Sequence, residues 1–151
     1  NIAYLGSDMD QMVNRCRYQG YEEAYRKGKR KLNPDLVYTD LSSKAMVEKA
    51  VEELKKSGVE CILCQDDYIC DEVVRKLARM GVRIPDQMKV ASCHYSRILE
   101  NYPITVTSLK FNITELGRRS CQVLLDVIHG KTVPDKTLLD YEIILKESTK
   151  G

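Results

Sequence analysis

The chain has 151 residues, 43% of them hydrophobic, and this length is enough to bury the core of one ordinary domain. Its 24 basic and 22 acidic residues are intermixed and give a net charge of +2, which neither requires nor excludes a polyanionic partner. No apolar run approaches the roughly 20 residues of a membrane-spanning helix, and no signal peptide is evident, so we expect a soluble cytoplasmic protein with no membrane partner.

Strand-like and helix-like segments alternate from the first residues. Short apolar segments rich in strand formers are separated by segments with helical periodicity, in the order Ile2–Leu5, Met12–Lys27, 36–39, Lys44–Lys56 and Cys61–Cys64. This alternation is typical of a parallel sheet with helices packed on it. The basic run at 26–31 follows the first predicted helix, and we interpret it as the solvated end of that helix.

Two cysteines of the third predicted strand, Cys61 and Cys64, form a C-x2-C pattern. Residues three apart on a strand point to opposite faces, and no second Cys or His pair stands at a matching interval. The six cysteines are also too few and too scattered for a disulfide scaffold. We therefore expect reduced, mostly buried thiols and no metal site.

The second half continues the alternation and then changes. A helix follows Asp66, Gly81 ends it, and a short strand covers Lys89–Ser92. Beyond Pro103 the patterns predict a strand at 105–110, a helix at 113–129 and a last strand at 138–145. Ligands of such sheets bind beyond the carboxyl ends of the strands. The candidate ligand segments are therefore 6–10, 40–41, 65–68 and 93–97.

Five segments, in the right order and at about the right spacing, resemble the LacI/GalR family of transcriptional regulators. They are Ile2-Ala3-Tyr4-Leu5-Gly6 leading to Arg17-Tyr18-Gln19-Gly20-Tyr21, then Asp66-Asp67-Tyr68, Gly81-Val82-Arg83-Ile84-Pro85-Asp86, Val106-Thr107-Ser108-Leu109 with Glu115-Leu116-Gly117-Arg118-Arg119, and Lys146-Glu147-Ser148-Thr149. The resemblance implies an α/β fold, a parallel-sheet three-layer sandwich of the periplasmic-binding-protein-like type I subdomain. It also implies an effector-sensing module rather than an enzyme, with no cofactor.

The resemblance implies a division of the chain. Residues 1–112 and 138–151 correspond to the C-terminal sensor subdomain, and residues 113–137 to a crossover helix segment that packs on an amino-terminal sensor subdomain. That subdomain and the helix-turn-helix domain are not in this sequence, so contact with operator DNA belongs to the missing domain. Because the crossover helix lacks its natural partner, we expect either a homodimer or a rearrangement in which the helix packs on its own or a neighbouring sheet.

The same resemblance implies the residues that hold a small-molecule effector, a sugar or sugar derivative in the first instance. Arg17 matches an effector-contacting arginine, whose guanidinium offers a rigid fork of donors. Asp66 matches an Asn or Asp that accepts hydrogen bonds from hydroxyls, and Tyr68 lines the cleft. Asp67 is expected to cap the following helix instead.

Two positions depart from the family pattern. Leu41 stands where some members have an aromatic platform for sugar rings, and leucine cannot stack. His94 stands where the family commonly has an Asp, and an imidazole both donates and accepts hydrogen bonds. Both remain predicted ligand residues, but the substitutions weaken the expectation of an ordinary sugar.

Three other classes of protein share parts of the pattern. A small doubly wound α/β enzyme would use Asp66, Asp67 and His94, although the chain has no Gly-rich phosphate loop, no G-x-S-x-G elbow and no histidine at a metal-ligand spacing. A phosphorylation receiver would place the acidic pair after the first strand rather than the third. A periplasmic sugar-binding protein shares the fold, and the closing Lys146-Glu147-Ser148-Thr149 and the free thiols favour the cytoplasmic regulator.

Overall fold

A computed structural model describes residues 1–150 and contains one six-stranded sheet. The strands are β1 (Ile2–Leu5), β2 (Val37–Tyr38), β3 (Cys61–Cys64), β4 (Lys89–Ser92), β5 (Thr107–Phe111) and β6 (Tyr141–Ile144), and the helices are α1 (Met12–Lys27), α2 (Lys44–Lys56), α3 (Asp67–Arg79) and α4 (Ile113–Ile128). The strand order is β2-β1-β3-β4-β5-β6, parallel except for β6, which runs antiparallel to β5. The predicted α/β sheet with flanking helices is therefore confirmed.

The main core lies between one face of the sheet and the helices α2 and α3. Apolar residues recur at three- and four-residue intervals on both helices and are buried, whereas the residues between them face solvent. The buried helical side chains are Val47, Ala50, Val51, Leu54, Ile69, Cys70, Val73, Val74 and Leu77. Ion pairs of Lys76 with Glu52 and of Arg79 with Glu48 join the outer sides of the two helices.

Helix α1 covers the opposite face of the sheet through tyrosine rings. The ring of Tyr4 on β1 lies 5.3 Å from that of Tyr18 and 5.2 Å from that of Tyr21. The Tyr21 hydroxyl donates to the carbonyl oxygen of Ile2 at 2.7 Å. Aromatic pairs at these separations stabilise beyond the apolar area that they bury. Helix α1, packed on the sheet through these tyrosines, thus forms the third layer of the sandwich.

The last residues of the described chain are wedged between β4 and β5. Ser148 is completely buried, and its hydroxyl accepts from the Thr107 amide at 2.8 Å and donates to the Val90 carbonyl at 2.6 Å. Its own amide donates to the carbonyl of Thr105 at 3.0 Å. This wedge occupies the space that a longer β5 would need, so the strand begins at Thr107 rather than at the predicted residue 105.

Helix α4 has no buried residue and does not pack on the sheet of its own chain. Its exposed apolar side chains are Ile113, Leu116, Leu124, Leu125, Val127 and Ile128. The rearrangement in which this helix folds onto its own sheet is therefore wrong. The homodimer and the division into 1–112, 113–137 and 138–151 stay predictions.

The six thiols are all free, but the expectation that most are buried is wrong. Cys64 and Cys70 are buried, Cys61 and Cys93 are partly exposed, and the two helical residues Cys16 and Cys121 are exposed. Cys16 and Cys121 escape burial because they lie on the exposed sides of α1 and α4, whereas Cys70 lies on the buried side of α3. None of the helices between residues 1 and 150 is both long and apolar enough to cross a membrane.

Candidate functional site

The carboxyl ends of β1, β3 and β4 lie side by side, and a buried glutamine after β3 forms hydrogen bonds with the loop after β1. Gln65, directly after β3, has no exposed surface. Its side-chain amide donates to the Ser7 carbonyl at 3.1 Å, and its Oε1 accepts from the Ser7 amide at 3.2 Å and from the Tyr4 hydroxyl at 3.3 Å. The β1–α1 loop is thereby fixed to the end of β3.

Asn14 on α1 holds the same loop from the other side. Its Nδ2 donates to the carbonyl oxygens of Ser7 and Asp8, each at 3.0 Å. Asp8 has a left-handed backbone with φ 46°, a conformation that Asp tolerates better than most residues. The periodicity of the sequence identified neither Gln65 nor Asn14 as a supporting residue. For Gln65, the available signal was a polar residue at the end of a buried strand.

Of the two aspartates after β3, Asp66 rather than Asp67 caps α3. Asp66 is the N-cap of α3, where its Oδ1 accepts from the Ile69 amide at 2.9 Å. Asp67 lies in the first turn, is 6% exposed, and approaches His94. The prediction that Asp67 caps the helix is wrong because the cap requires extended backbone, which Asp66 has at φ −146° and ψ 179°.

His94 pairs with the buried carboxylate of Asp67. The distance from His94 Nδ1 to Asp67 Oδ1 is 3.2 Å, and Ser92 fixes the His94 backbone through hydrogen bonds to its amide and carbonyl. Burial acts to raise the pKa of Asp67, but hydrogen bonds from Ser96 and His94 outweigh it and lower that pKa. A neutral imidazole that donates from Nδ1 presents an acceptor nitrogen, Nε2, on its other side.

Arg17 is half-buried on α1 at the wall of an apolar cavity of about 550 Å³. Cys93, Leu109 and Phe111 line the same cavity. No hydrogen bond or ion pair with another of residues 1–150 engages the Arg17 guanidinium. Burial raises the pKa of the Cys93 thiol to about 11 against the opposing charge of Arg17, so this cysteine is a neutral wall of the cavity.

Phe111 ends β5 and separates that cavity from a second one of about 520 Å³. The second cavity is also lined by His94, whose ring is stacked on Phe111 with centroids 6.5 Å apart and planes at 29°. Phe111 is 39% exposed. Sequence reasoning missed this residue, although it is the single phenylalanine of the chain and stands at the end of a predicted strand.

Leu41 and Tyr68 meet at a third, smaller hollow of about 220 Å³ beside Asp66 and Ser7. Leu41 is only 6% exposed and belongs to the core, whereas Tyr68 is 72% exposed. The structure thus brings Leu41, Asp66 and Tyr68 to one hollow and places Arg17 and His94 at two neighbouring cavities that share Phe111. All of the predicted ligand residues lie on or beside the loops at the carboxyl edge of the sheet; their contacts with a ligand stay predictions.

The chemistry of this edge suits binding. It offers donors at Arg17, acceptors at Asp66 and His94, and apolar surface at Phe111. The hydroxyl of Ser92 is engaged with the backbone of His94 rather than with its imidazole, and the hydroxyl of Tyr95 donates to Glu100. Within residues 1–150, no three His, Cys, Asp or Glu side chains are grouped to hold a metal ion.

Comparison with known proteins gives consistent matches over nearly the whole chain. The periplasmic binding protein-like domain family matches residues 1–149. An HTH-type transcriptional regulator, YvdE of Bacillus subtilis, is 27% identical over 150 residues, covering 98% of this chain and 47% of the relative. The structure of the transcription regulator CcpA of Lactococcus lactis is 24% identical, with a TM-score of 0.88, over 99% of this chain and 56% of that chain.

A further solved structure, a complex of the transcriptional regulator CelR with cellobiose, is 25% identical with a TM-score of 0.85. The match covers 97% of this chain and 46% of that chain. The chain thus spans about half the length of the relatives that it matches.

Proposed function

Because the chain belongs to the periplasmic binding protein-like domain family, we propose that it is the effector-sensing part of a LacI/GalR-family transcriptional regulator. The relatives are HTH-type transcriptional regulators, and such proteins are not enzymes. One observation carries the proposal: Asp66 and His94, which follow neighbouring parallel strands, and Arg17 on α1 line adjacent open cavities.

The mechanism that fits this arrangement is conformational. An effector contacts this carboxyl edge on one side and a second sensor subdomain on the other, and it shifts the balance between open and closed arrangements. The Gln65 and Asn14 hydrogen bonds keep the β1–α1 loop in place, so this half of the cleft is preorganised. The second half, and operator DNA contact through a helix-turn-helix domain, belong to the rest of the regulator, which we expect to act as a cytoplasmic homodimer.

Thermal-shift screening tests the proposal. The intact sensor is heated with sugars, sugar phosphates and purines, cellobiose included because it is the ligand in the CelR complex. A true effector raises the melting temperature of the wild type, since it binds only the folded state. It raises that of the Arg17→Gln variant less. The proposal fails if ligands that stabilise the protein act equally on both.

One observation favours a second candidate, a small α/β enzyme, namely the 3.2 Å pair of His94 and Asp67. A carboxylate that orients an imidazole is a common arrangement for a general base. In this chain Asp66 caps α3, and among residues 1–150 no hydroxyl group forms a hydrogen bond with the His94 imidazole. Titration with a divalent metal, with Asp66→Ala as the control, decides between the two: metal binding that Asp66→Ala abolishes supports the enzyme.

A further inference from the structure

We propose that Phe111 determines effector specificity and that the effector is a planar ring bearing an anionic group. The inference rests on the proposed function and specifies its ligand. Three features support it: the position of Phe111, the unpartnered charge of Arg17 in a cavity without carboxylates, and the hydrogen bonds that occupy one oxygen each of Asp66 and Asp67.

Phe111 lines both the cavity that holds Arg17 and the cavity that holds His94, so it can contact a ligand in either one. Side chains two apart on a strand share a face, so Phe111 and Leu109 lie on the same side of β5, and both line the cavity that holds Arg17. The His94 ring approaches Phe111 from the neighbouring cavity. A centroid separation of 6.5 Å is at the long end for stacked aromatic rings, and 39% of the Phe111 residue surface remains exposed.

The charge at the cavity favours an anion. The Arg17 guanidinium contacts no carboxylate among residues 1–150, and it lines a cavity whose other walls include the apolar Leu109 and the neutral Cys93 thiol. A guanidinium binds carboxylate or phosphate through two parallel hydrogen bonds, which are roughly twice as strong as neutral ones. A ligand anion would supply the partner that the Arg17 guanidinium lacks within residues 1–150.

The acceptors that would select a neutral sugar are partly used within the protein. Asp66 Oδ1 accepts the Ile69 amide, and Asp67 Oδ1 faces His94. Leu41, at the family position of a stacking platform, is buried in the core. Phe111 therefore provides the aromatic surface from β5 instead, in an apolar cavity whose lining contains no carboxylate to accept hydrogen bonds from a hydroxyl-rich ring.

Nuclear magnetic resonance titration of the 151-residue chain tests the idea with four probes. Benzoate carries both the ring and the charge, cyclohexanecarboxylate carries the charge without a planar ring, benzyl alcohol carries the ring without the charge, and cellobiose carries neither. We expect benzoate to bind at least threefold more tightly than each of the others and to shift the amides of Phe111 and Cys93.

Two variants separate the contributions. Phe111→Leu should weaken benzoate about three- to tenfold, as expected for loss of one aromatic contact, and leave cyclohexanecarboxylate unchanged. Arg17→Gln should remove the preference for benzoate over benzyl alcohol. Val127→Ala, which changes an exposed apolar residue of α4 that lines none of these cavities, is the control and should leave benzoate binding unchanged. If Phe111→Leu disturbs the folded spectrum, Phe111→Ile makes the same comparison with a side chain suited to strands.

The outcomes distinguish this inference from the proposed function. Equal binding of benzoate and cyclohexanecarboxylate, or a benzoate affinity indifferent to Phe111, overturns the inference. If cellobiose alone binds at the carboxyl edge, the ligand class is wrong and the sensing function stands. If none of the four probes, nor any of the sugars, sugar phosphates and purines of the thermal-shift screen, perturbs this edge, both fail.

Discussion

Because Gly6 has no Cβ, the Gln65 side chain at the end of β3 can approach the loop after β1. A Cβ at this position would overlap Gln65 Oε1 and lie 2.8 Å from Cε1 of Tyr4. Gly6→Ala should therefore displace the Gln65 side chain from Ser7 and destabilise the chain by about 1–3 kcal/mol, the cost of leaving buried polar groups without partners. Urea unfolding followed by circular dichroism measures the change.

Gly20 provides the matched control for this substitution. It lies within α1, and an added Cβ would meet no atom within 4 Å. Gly20→Ala should stabilise the chain by about 0.5–1 kcal/mol, because alanine loses less backbone entropy than glycine in a helix. If the two alanine variants had the same midpoint in urea, close packing at Gly6 would not be the cause.

The Asp67–His94 pair makes the stability of the folded chain depend on pH in the acidic range. The folded-state pKa of Asp67 is lowered, since hydrogen bonds from Ser96 and His94 outweigh the larger single effect of burial, which raises it. A lowered carboxylate pKa contributes stability above about pH 4, the ordinary value, and this contribution disappears as the pH falls through the folded-state pKa. Asp67→Asn should be less stable near neutral pH and lose less stability between about pH 4 and pH 2.

Thermal melts across that range, with Asp10→Asn as an exposed control, make the comparison. The control should follow the wild-type profile, because the Asp10 side chain is exposed and forms no hydrogen bond in the described chain. Parallel profiles for wild type and Asp67→Asn would contradict the role assigned to the pair.

The roles of single residues were harder to predict from the sequence than the helices and strands. The sequence correctly pointed to Asp66 and His94 as residues at the carboxyl edge, because strand ends can be located from periodicity. It predicted the wrong aspartate as the cap of α3, since the cap is the one residue whose backbone remains extended. It also did not distinguish Leu41, which packs into the core, from Phe111, which remains exposed between two cavities.

At the scale of elements, the wedge at Glu147–Thr149 joins β4 and β5 at the point where their direct pairing begins. Ser148 bridges the Thr107 amide and the Val90 carbonyl, both of which would otherwise lack partners in a buried place. Ser148→Ala should cost about 1–3 kcal/mol, the penalty for unsatisfied buried groups. Denaturant midpoints measure it. Ser120→Ala on the exposed side of α4 is the control, expected to stay within about 0.5 kcal/mol.

Half of the ten helices and strands were predicted to the residue. Helices α1 and α2 and strands β1, β3 and β4 have the predicted bounds, because hydrophobic periodicity is a local signal. The predicted last strand, 138–145, is shorter in the structure at Tyr141–Ile144. Its partner β5 ends at Phe111 opposite Tyr141, and pairing between distant segments is not encoded in either segment alone.

At the scale of the whole molecule, the proposed function makes the carboxyl edge one wall of a binding site. The cavities at Arg17, His94 and Phe111 are open, and a ligand held on one side buries less surface than one enclosed between two subdomains. The proposed function therefore predicts that the 151-residue chain binds an effector weakly. Isothermal titration calorimetry checks this: a sub-micromolar dissociation constant for the chain alone would show that the wall is sufficient by itself.

The exposed apolar side of α4 should make the chain associate. Leu116, Leu124 and Ile128 recur at helical spacing on a helix without a buried residue, and contiguous apolar surface of this kind favours contact with another copy. Sedimentation velocity at increasing protein concentration should show a shift from monomer to dimer. Leu124→Lys should suppress the shift without lowering stability, because the side chain is exposed, whereas Gln122→Lys on the polar side should leave association unchanged. A compact monomer at all concentrations would show that α4 does not drive self-association.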